Sequence, residues 1–429
     1  MVTTRQRALC RLAIATVFAC ALFAPLPASA SASTCPTVNS TTGAVTPAPQ
    51  PAVDWSGCNL TGADLSNADL ASATLTGVDL SRAWLIGARL SGTQLAGAQL
   101  AGAHVVGLIS GGIVGVPVSL PTKWRLTMGY LVGPGANLAD AKLSQADLVG
   151  ADLSGSFLNG ANLSGANLSH ANMSSAQLTS ALVQGTRFSA TEFLGLVSSG
   201  LIGAPAILPT LWQLTSGRLF GPGVNLTDAN LIGVNLRGAH LERSSLTRAV
   251  LDRAILRNAH LDGAGLTQAS LRGTSLWGAD LTGAVLTRAD LTAADLRRCT
   301  LVGVRTGAAV TSRTHLSADW KAVRGYLVGP GADLHGAVLS GQNLQRAVLR
   351  DANLVGANLV SAVLVHAQLS RARLNNADIS RANLAGADLS RAIVVGLHAA
   401  GTTWTSAMCP DGYVARRHRS GNCMNARIK

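Results

Sequence analysis

Aromatic and charged side chains are scarce in this chain: Phe, Trp and Tyr make up 4% of its 429 residues, and Asp, Glu, Lys and Arg 13%, while hydrophobic residues reach 48%. The length would suit two or three ordinary domains, but the large, varied side chains that fill an ordinary core are missing. Small repeated units fit such a composition better. Acids are the scarcer sign, 21 Asp and Glu against 34 Lys and Arg. Asp64, Asp69, Asp79, Asp147, Asp152, Asp280, Asp290 and Asp295 each stand directly before a Leu, so they belong to a pattern and offer no convergent acid pair. No nucleophile elbow, helical His pair or phosphate loop occurs in a strand-to-helix setting. No enzyme, catalytic residue, metal site or cofactor is expected.

Long apolar runs are also missing after the first thirty residues, because Asn, Asp, Arg or Gly recurs every few positions, which excludes a membrane-spanning helix. Residues 1–30 read as an export signal. Arg5, Arg7 and Arg11 form a basic start, residues 12–26 an apolar run and Ala28-Ser29-Ala30 a small-residue cleavage site. Lipidation at Cys20 is disfavoured by the bulky Phe18 in Val17-Phe18-Ala19-Cys20. Cleavage after Ala30 removes three arginines and no acids and lowers the net charge from +13 to +10. That charge is uneven: residues 31–236 hold 7 Lys/Arg against 9 Asp/Glu, and residues 237–429 hold 24 against 12. The expected location is secreted, extracellular or on the cell surface. Five cysteines remain in an oxidising compartment; Cys35 is expected to pair with Cys58 and Cys409 with Cys423, leaving Cys299 free.

What the sequence has in abundance is a five-residue period. Leu60, Leu65, Leu70, Leu75, Leu80, Leu85, Leu90, Leu95 and Leu100 form one run, usually with Ala two residues earlier, as at Ala63, Ala73, Ala83 and Ala88. A helix would rotate about 500° in five residues and scatter the leucines around its surface. A flat strand would turn successive leucines to opposite faces. The period works only if the chain bends once per unit, returning Leu and Ala to a narrow interior while the other three positions face out.

Ala161-Asn162-Leu163-Ser164-Gly165-Ala166-Asn167-Leu168 and some fifty similar units resemble the pentapeptide-repeat family. The resemblance implies a right-handed quadrilateral parallel β-helix, an all-β solenoid with four units per coil. Trp404 followed by Cys409-Pro410-Asp411-Gly412 resembles the endings of exported members. The family's best-known activity, inhibition or protection of DNA gyrase by mimicry of DNA, demands an acidic rod; this one is basic, so nucleic-acid mimicry and nucleic-acid binding are not expected.

With the Leu-type position as centre, repeats run over 55–105, 138–193, 226–301 and 334–394, in blocks of 11, 12, 16 and 13 units. The expected organisation is a cap segment at 31–52, a solenoid over 53–396 with insertions at 108–135, 196–223 and 304–331, and a disulfide-tied cap at 397–429. Each insertion carries one Trp (Trp124, Trp212, Trp320) and ends in Gly-Pro-Gly, which reads as a hairpin-like flap re-entering the coil. If each flap replaces one side of the square, three and four whole coils separate them, and all leave from one edge, about 14 and 19 Å apart in a rod of about 14 coils, roughly 65 Å long. The three Trp form a candidate binding edge for glycan or peptide, with packing of each Trp under its own flap as the favoured reading.

His240 and His260 stand one coil apart and read as a solvated ladder, short of the three or four ligands of a metal site. Arg243, Arg248 and Arg253 end successive units, and Arg371, Arg381 and Arg391 alternate between opposite faces. They form a candidate basic surface for an anionic cell-wall polymer, a glycan or a protein partner. The role expected is a non-enzymatic structural or interaction scaffold. A carbohydrate-binding or hydrolysing protein using the flap edge is the alternative, and the sequence does not fix the oligomeric state.

Overall fold

A computed structural model describes residues 34–415 and Cys423; the signal read at 1–30 and most of the tail beyond residue 415 lie outside the described residues. Each unit contributes one rung: the residue before the inward Leu bridges in parallel to the residue twenty positions on, as in Asp54↔Thr74, Asn59↔Asp79, Asp64↔Trp84 and Asp69↔Arg89. Twenty residues are four units, so the coil has four sides, here called first to fourth in that order. Each pair of stacked rungs is joined by two hydrogen bonds: the Leu60 amide donates to the Asp79 carbonyl at 2.7 Å and the Asp79 amide to the Cys58 carbonyl at 2.9 Å. The corner is closed by the inward Ala, Ala63 donating to the Leu60 carbonyl at 3.0 Å. One corner residue takes a left-handed backbone, with φ of 70° at Gly62 and 54° at Arg243; Gly pays no Cβ penalty there, whereas other residues do.

The inward Leu are buried, and so are the inward Ala apart from Ala68 and Ala399, which are half-buried. At the start, strands β1 (Thr37–Val38) and β2 (Val45–Thr46) pair as a hairpin. It stands where a preceding coil would on the third side, its Gly43 carbonyl accepting from the Asp64 amide at 2.8 Å. Cys35 joins Cys58 and ties this cap down. At the far end the ladder runs past residue 396, through His398, Thr403 and Met408. Trp404 and Cys409 occupy Leu-type positions and are buried, so the solenoid boundary moves from 396 to 408. Met408 then pairs antiparallel with Val414, and Cys409 joins Cys423.

Each insertion contains an antiparallel hairpin: β3 (Arg125–Thr127) with β4 (Tyr130–Val132), β5 (Gln213–Thr215) with β6 (Arg218–Phe220), and β7 (Lys321–Val323) with β8 (Tyr326–Val328). The ladder continues further into each insertion than the repeat signature does. Ile109, Val114 and Ser119 still bridge Arg89, Gln94 and Gln99, and only the third side of that coil is replaced. The fourth side runs through without a break, because Ile109 bridges Asn137 and Arg305 bridges Asp333; at the middle insertion the Asn225 amide donates to the Leu196 carbonyl at 3.1 Å. The insertions therefore share one side, but four and five coil steps separate them, roughly 19 and 24 Å, rather than three and four. The fourth side carries sixteen rungs from Asp69 to Ile393, about 70 Å of spine rather than 65 Å.

The hairpins are not outer flaps. Leu131, with Leu120 and Leu126, packs on the core below; Val132 begins the core above; and Trp124 packs against both. Trp212 and Trp320 bridge successive cores in the same way. Anchors repeat as well. The Ile113 amide donates to the Gly129 carbonyl at 3.0 Å and the Leu131 amide to Ser110 Oγ at 2.9 Å; Leu201 with Gly217 and Leu219 with Ser198, then Ala309 with Gly325 and Leu327 with Thr306, do the same. Each hairpin crosses the rod between two coils and divides the interior into four cores.

Candidate functional site

The six arginines singled out from the sequence all occupy left-handed corner positions, so their side chains stand at the edges of the square. Arg243, Arg371 and Arg391 share the corner between the third and fourth sides, Arg253 and Arg381 lie on the opposite corner, and Arg248 lies between the fourth and first sides. Two of them are paired along the rod. Arg248 grips Asp228 with both nitrogens at 2.6 Å and Arg371 grips Asp351 at 2.7 Å, each partner one coil earlier. The guanidinium hydrogen bonds hold both carboxyls below the ordinary carboxylate value; exposed pairs of this kind add little stability. Arg243, Arg253, Arg381 and Arg391 have no ion pair among the described residues.

A further basic edge escaped the sequence reading. On the corner between the second and third sides, Arg237, Arg257, Trp277 and Arg297 follow at twenty-residue steps. Arg257 and Arg298 hold their guanidinium carbons 4.9 and 5.0 Å from the Trp277 ring, one from each side. The signal that could have found them is the coil period itself, applied to outward residues.

Trp124, Trp212 and Trp320 sit in equivalent places on the third side, half-buried. A Cβ on Gly133, Gly221 or Gly329 would come within 2.3, 2.1 and 2.2 Å of the respective ring, so each ring lies flat on its glycine and packs its hairpin. Beside the first hairpin a cavity of about 490 Å³ is lined by Lys123, Trp124, Arg125, Asp152, His170 and Asn172, among others. Lys123 Nζ meets Asp152 at 2.8 Å. Arg125 donates to the Val149 carbonyl at 3.1 Å, and desolvation pulls its pKa down. Lys321 repeats that tie in the third hairpin, donating to the Gln345 carbonyl at 2.6 Å.

On the third side above the second hairpin, His240 and His260 stack with ring centroids 4.4 Å apart and planes 3° from parallel. Glu242, which the sequence reading passed over, brings Oε1 to 2.6 Å from His240 Nδ1. Cys299 is free, at the inward Ala-type position, with Sγ 3.0 Å from the Leu276 carbonyl. Burial pushes its thiol up to about 12, which removes it as a nucleophile at neutral pH.

The family model described as Pentapeptide repeats matches eight stretches, 52–82, 73–107, 135–169, 146–185, 225–263, 264–303, 332–367 and 357–394, which together cover more than half of the chain. The chain belongs to the pentapeptide-repeat family. No curated protein matches it in sequence. Among solved structures this pentapeptide-repeat protein is similar to HetL of Nostoc sp. strain PCC 7120, at 22% identity over 86% of this chain and 91% of that one, with a TM-score of 0.12. It is also similar to full-length QnrB1, a plasmid-mediated fluoroquinolone resistance protein, at 15% identity over 63% and 94%, TM-score 0.13. Rfr23 of Cyanothece 51142 follows at 16% identity over 53% and 91%, TM-score 0.10. Among the described residues of the pentapeptide-repeat rod, no helix is long and apolar enough to cross a membrane.

Proposed function

We propose that this pentapeptide-repeat rod is an exported, non-enzymatic interaction scaffold that binds an anionic polymer of the cell surface along the arginine corners of its second half. The observation that carries the reading is the set of corner guanidinium groups without an acidic partner. Residues 237–429 hold twice as many Lys and Arg as Asp and Glu. Among the described residues of this half, only Arg248, Arg272, Arg297, Arg305 and Arg371 form ion pairs with Asp. The remainder project from several edges of a rigid ladder, a disposition suited to a flexible polyanion that can wrap, and opposite in sign to a DNA mimic. Two cap disulfides fit an oxidising compartment. Each of the three Trp rings packs on a glycine of its own hairpin, which supports packing over glycan binding at that edge.

The test is binding of the purified protein to polyglycerol phosphate at low and high salt, alongside a variant with Arg243, Arg253, Arg381 and Arg391 all changed to Ser. Serine suits these corners, as Ser72, Ser175, Ser180 and Ser361 already adopt the same positive φ. At about 0.5–1 kcal/mol per cation near a polyanionic surface, the variant is expected to bind roughly 30-fold or more weakly, with a shallower salt dependence. Unchanged affinity in the variant, or binding insensitive to salt, would overturn the proposal.

A further inference from the structure

The stacked histidines become a different object once Glu242 is placed beside them. His240 and His260 are neighbouring rungs of the third side, locked by the His260 amide donating to the Ala239 carbonyl at 2.9 Å and the Leu241 amide to the His260 carbonyl at 2.8 Å. Glu242 reaches back from the following corner, so three side chains from two coils bring one ligand atom each within 4.8 Å of one another. Glu242 Oε2 is shielded from solvent and has no hydrogen-bond partner among the described residues. A carboxylate oxygen withdrawn from water without a donor is costly, and a cation at this place removes that cost.

We infer that His240, Glu242 and His260 form a cross-coil binding site for a zinc-class divalent cation. Two imidazoles with one carboxylate select zinc, cobalt, nickel or copper over calcium and magnesium, which prefer all-oxygen shells. Metal bonds of about 2.0–2.2 Å in a tetrahedral shell set neighbouring ligand atoms roughly 3.3 Å apart. The site therefore closes by a small swing of one ring out of the stack. His260 is exposed and free to make it, while His240 is already oriented by Glu242. Three protein ligands leave the fourth position to water. Rung spacing and corner geometry are set by the ladder, so the ligands are pre-positioned by the fold, and a bound ion ties two coils together just above the second hairpin.

The experiment is a cobalt titration of the full-length protein followed by visible absorption, with zinc displacement and thermal unfolding measured on the same samples. The wild-type protein is expected to take up one cobalt per chain with tetrahedral d–d bands, to lose them on adding one equivalent of zinc, and to unfold at higher temperature with zinc present. The His240→Asn/His260→Asn variant tests the assignment without threatening the fold, because Asn is a common residue at this outward position, as at Asn162 and Asn167. It is expected to lose the bands and the zinc-dependent shift, and Glu242→Gln to weaken cobalt binding at least tenfold. Bands of equal strength in the double variant would place the ion elsewhere and overturn the site. So would a wild-type protein with neither bands nor a zinc-dependent shift.

Discussion

At the inward alanine position the interior admits a polar atom only when the backbone supplies its partner. Thr93, Thr186, Thr191 and Thr274 are buried there, and each hydroxyl donates to the carbonyl of a Leu 23 residues back: Leu70, Leu163, Leu168 and Leu251. Cys299 uses the same device on Leu276. With its thiol pushed up to about 12, Cys299 should resist iodoacetamide at pH 8 in the folded protein and react once the chain is unfolded in denaturant; rapid labelling of the folded protein would contradict this placement. The outward aspartates carry a second residue-scale expectation. Hydrogen bonds from the Ser two residues on hold Asp54, Asp64, Asp79 and Asp378 below the ordinary value. A depressed folded pKa means the stability they add is present above the unfolded value, about 3.9, and is lost as pH falls through the folded one. The thermal midpoint should thus be level between about pH 7 and 5 and decline below about 4. Asp79→Asn should soften the decline, because Asn keeps the acceptor, as Asn162 does for the Ser164 amide at 3.0 Å. A midpoint rising toward acid would contradict it.

The element that organises the rod is the transverse hairpin, and it was only partly legible. The inward Leu and Ala, the two disulfide pairs and the three insertions follow from five-residue spacing, cysteine position and the repeated Trp and Gly-Pro-Gly, whereas the four-unit coil, and with it the common side of the insertions, came from the family resemblance. Hidden were the rungs at Ile109, Val114 and Ser119, because backbone pairing persists there after the Ala-Asp-Leu signature has lapsed. The inward course of the hairpins was hidden too: the neighbouring residues Leu131 and Val132 reach two different cores from one short strand, and no period in the sequence marks that. The His240 and Glu242 pair lay outside the twenty-residue rule, since Glu242 is a corner residue folding back on its own side. As each Trp fills space shared by two cores, Trp212→Ala should cost about 3–5 kcal/mol in chemical denaturation. Trp277→Ala, at a half-buried corner outside the cores, should cost less, about 1 kcal/mol. Equal effects would show that the Trp212 ring does not close the gap between cores.

At the scale of the whole molecule, a nearly neutral first half and a basic second half share one backbone lattice, so the difference between them is carried by outward residues alone. A polyanion bound by charge should settle on one half and leave the other bare. The most direct measurement is arginine footprinting with phenylglyoxal, read residue by residue by mass spectrometry with and without saturating polyglycerol phosphate. The account predicts protection of Arg243, Arg253, Arg257, Arg298, Arg381 and Arg391, with Arg82, Arg89 and Arg187 labelled equally in both samples. Protection spread evenly over both halves, or confined to the first, would contradict it.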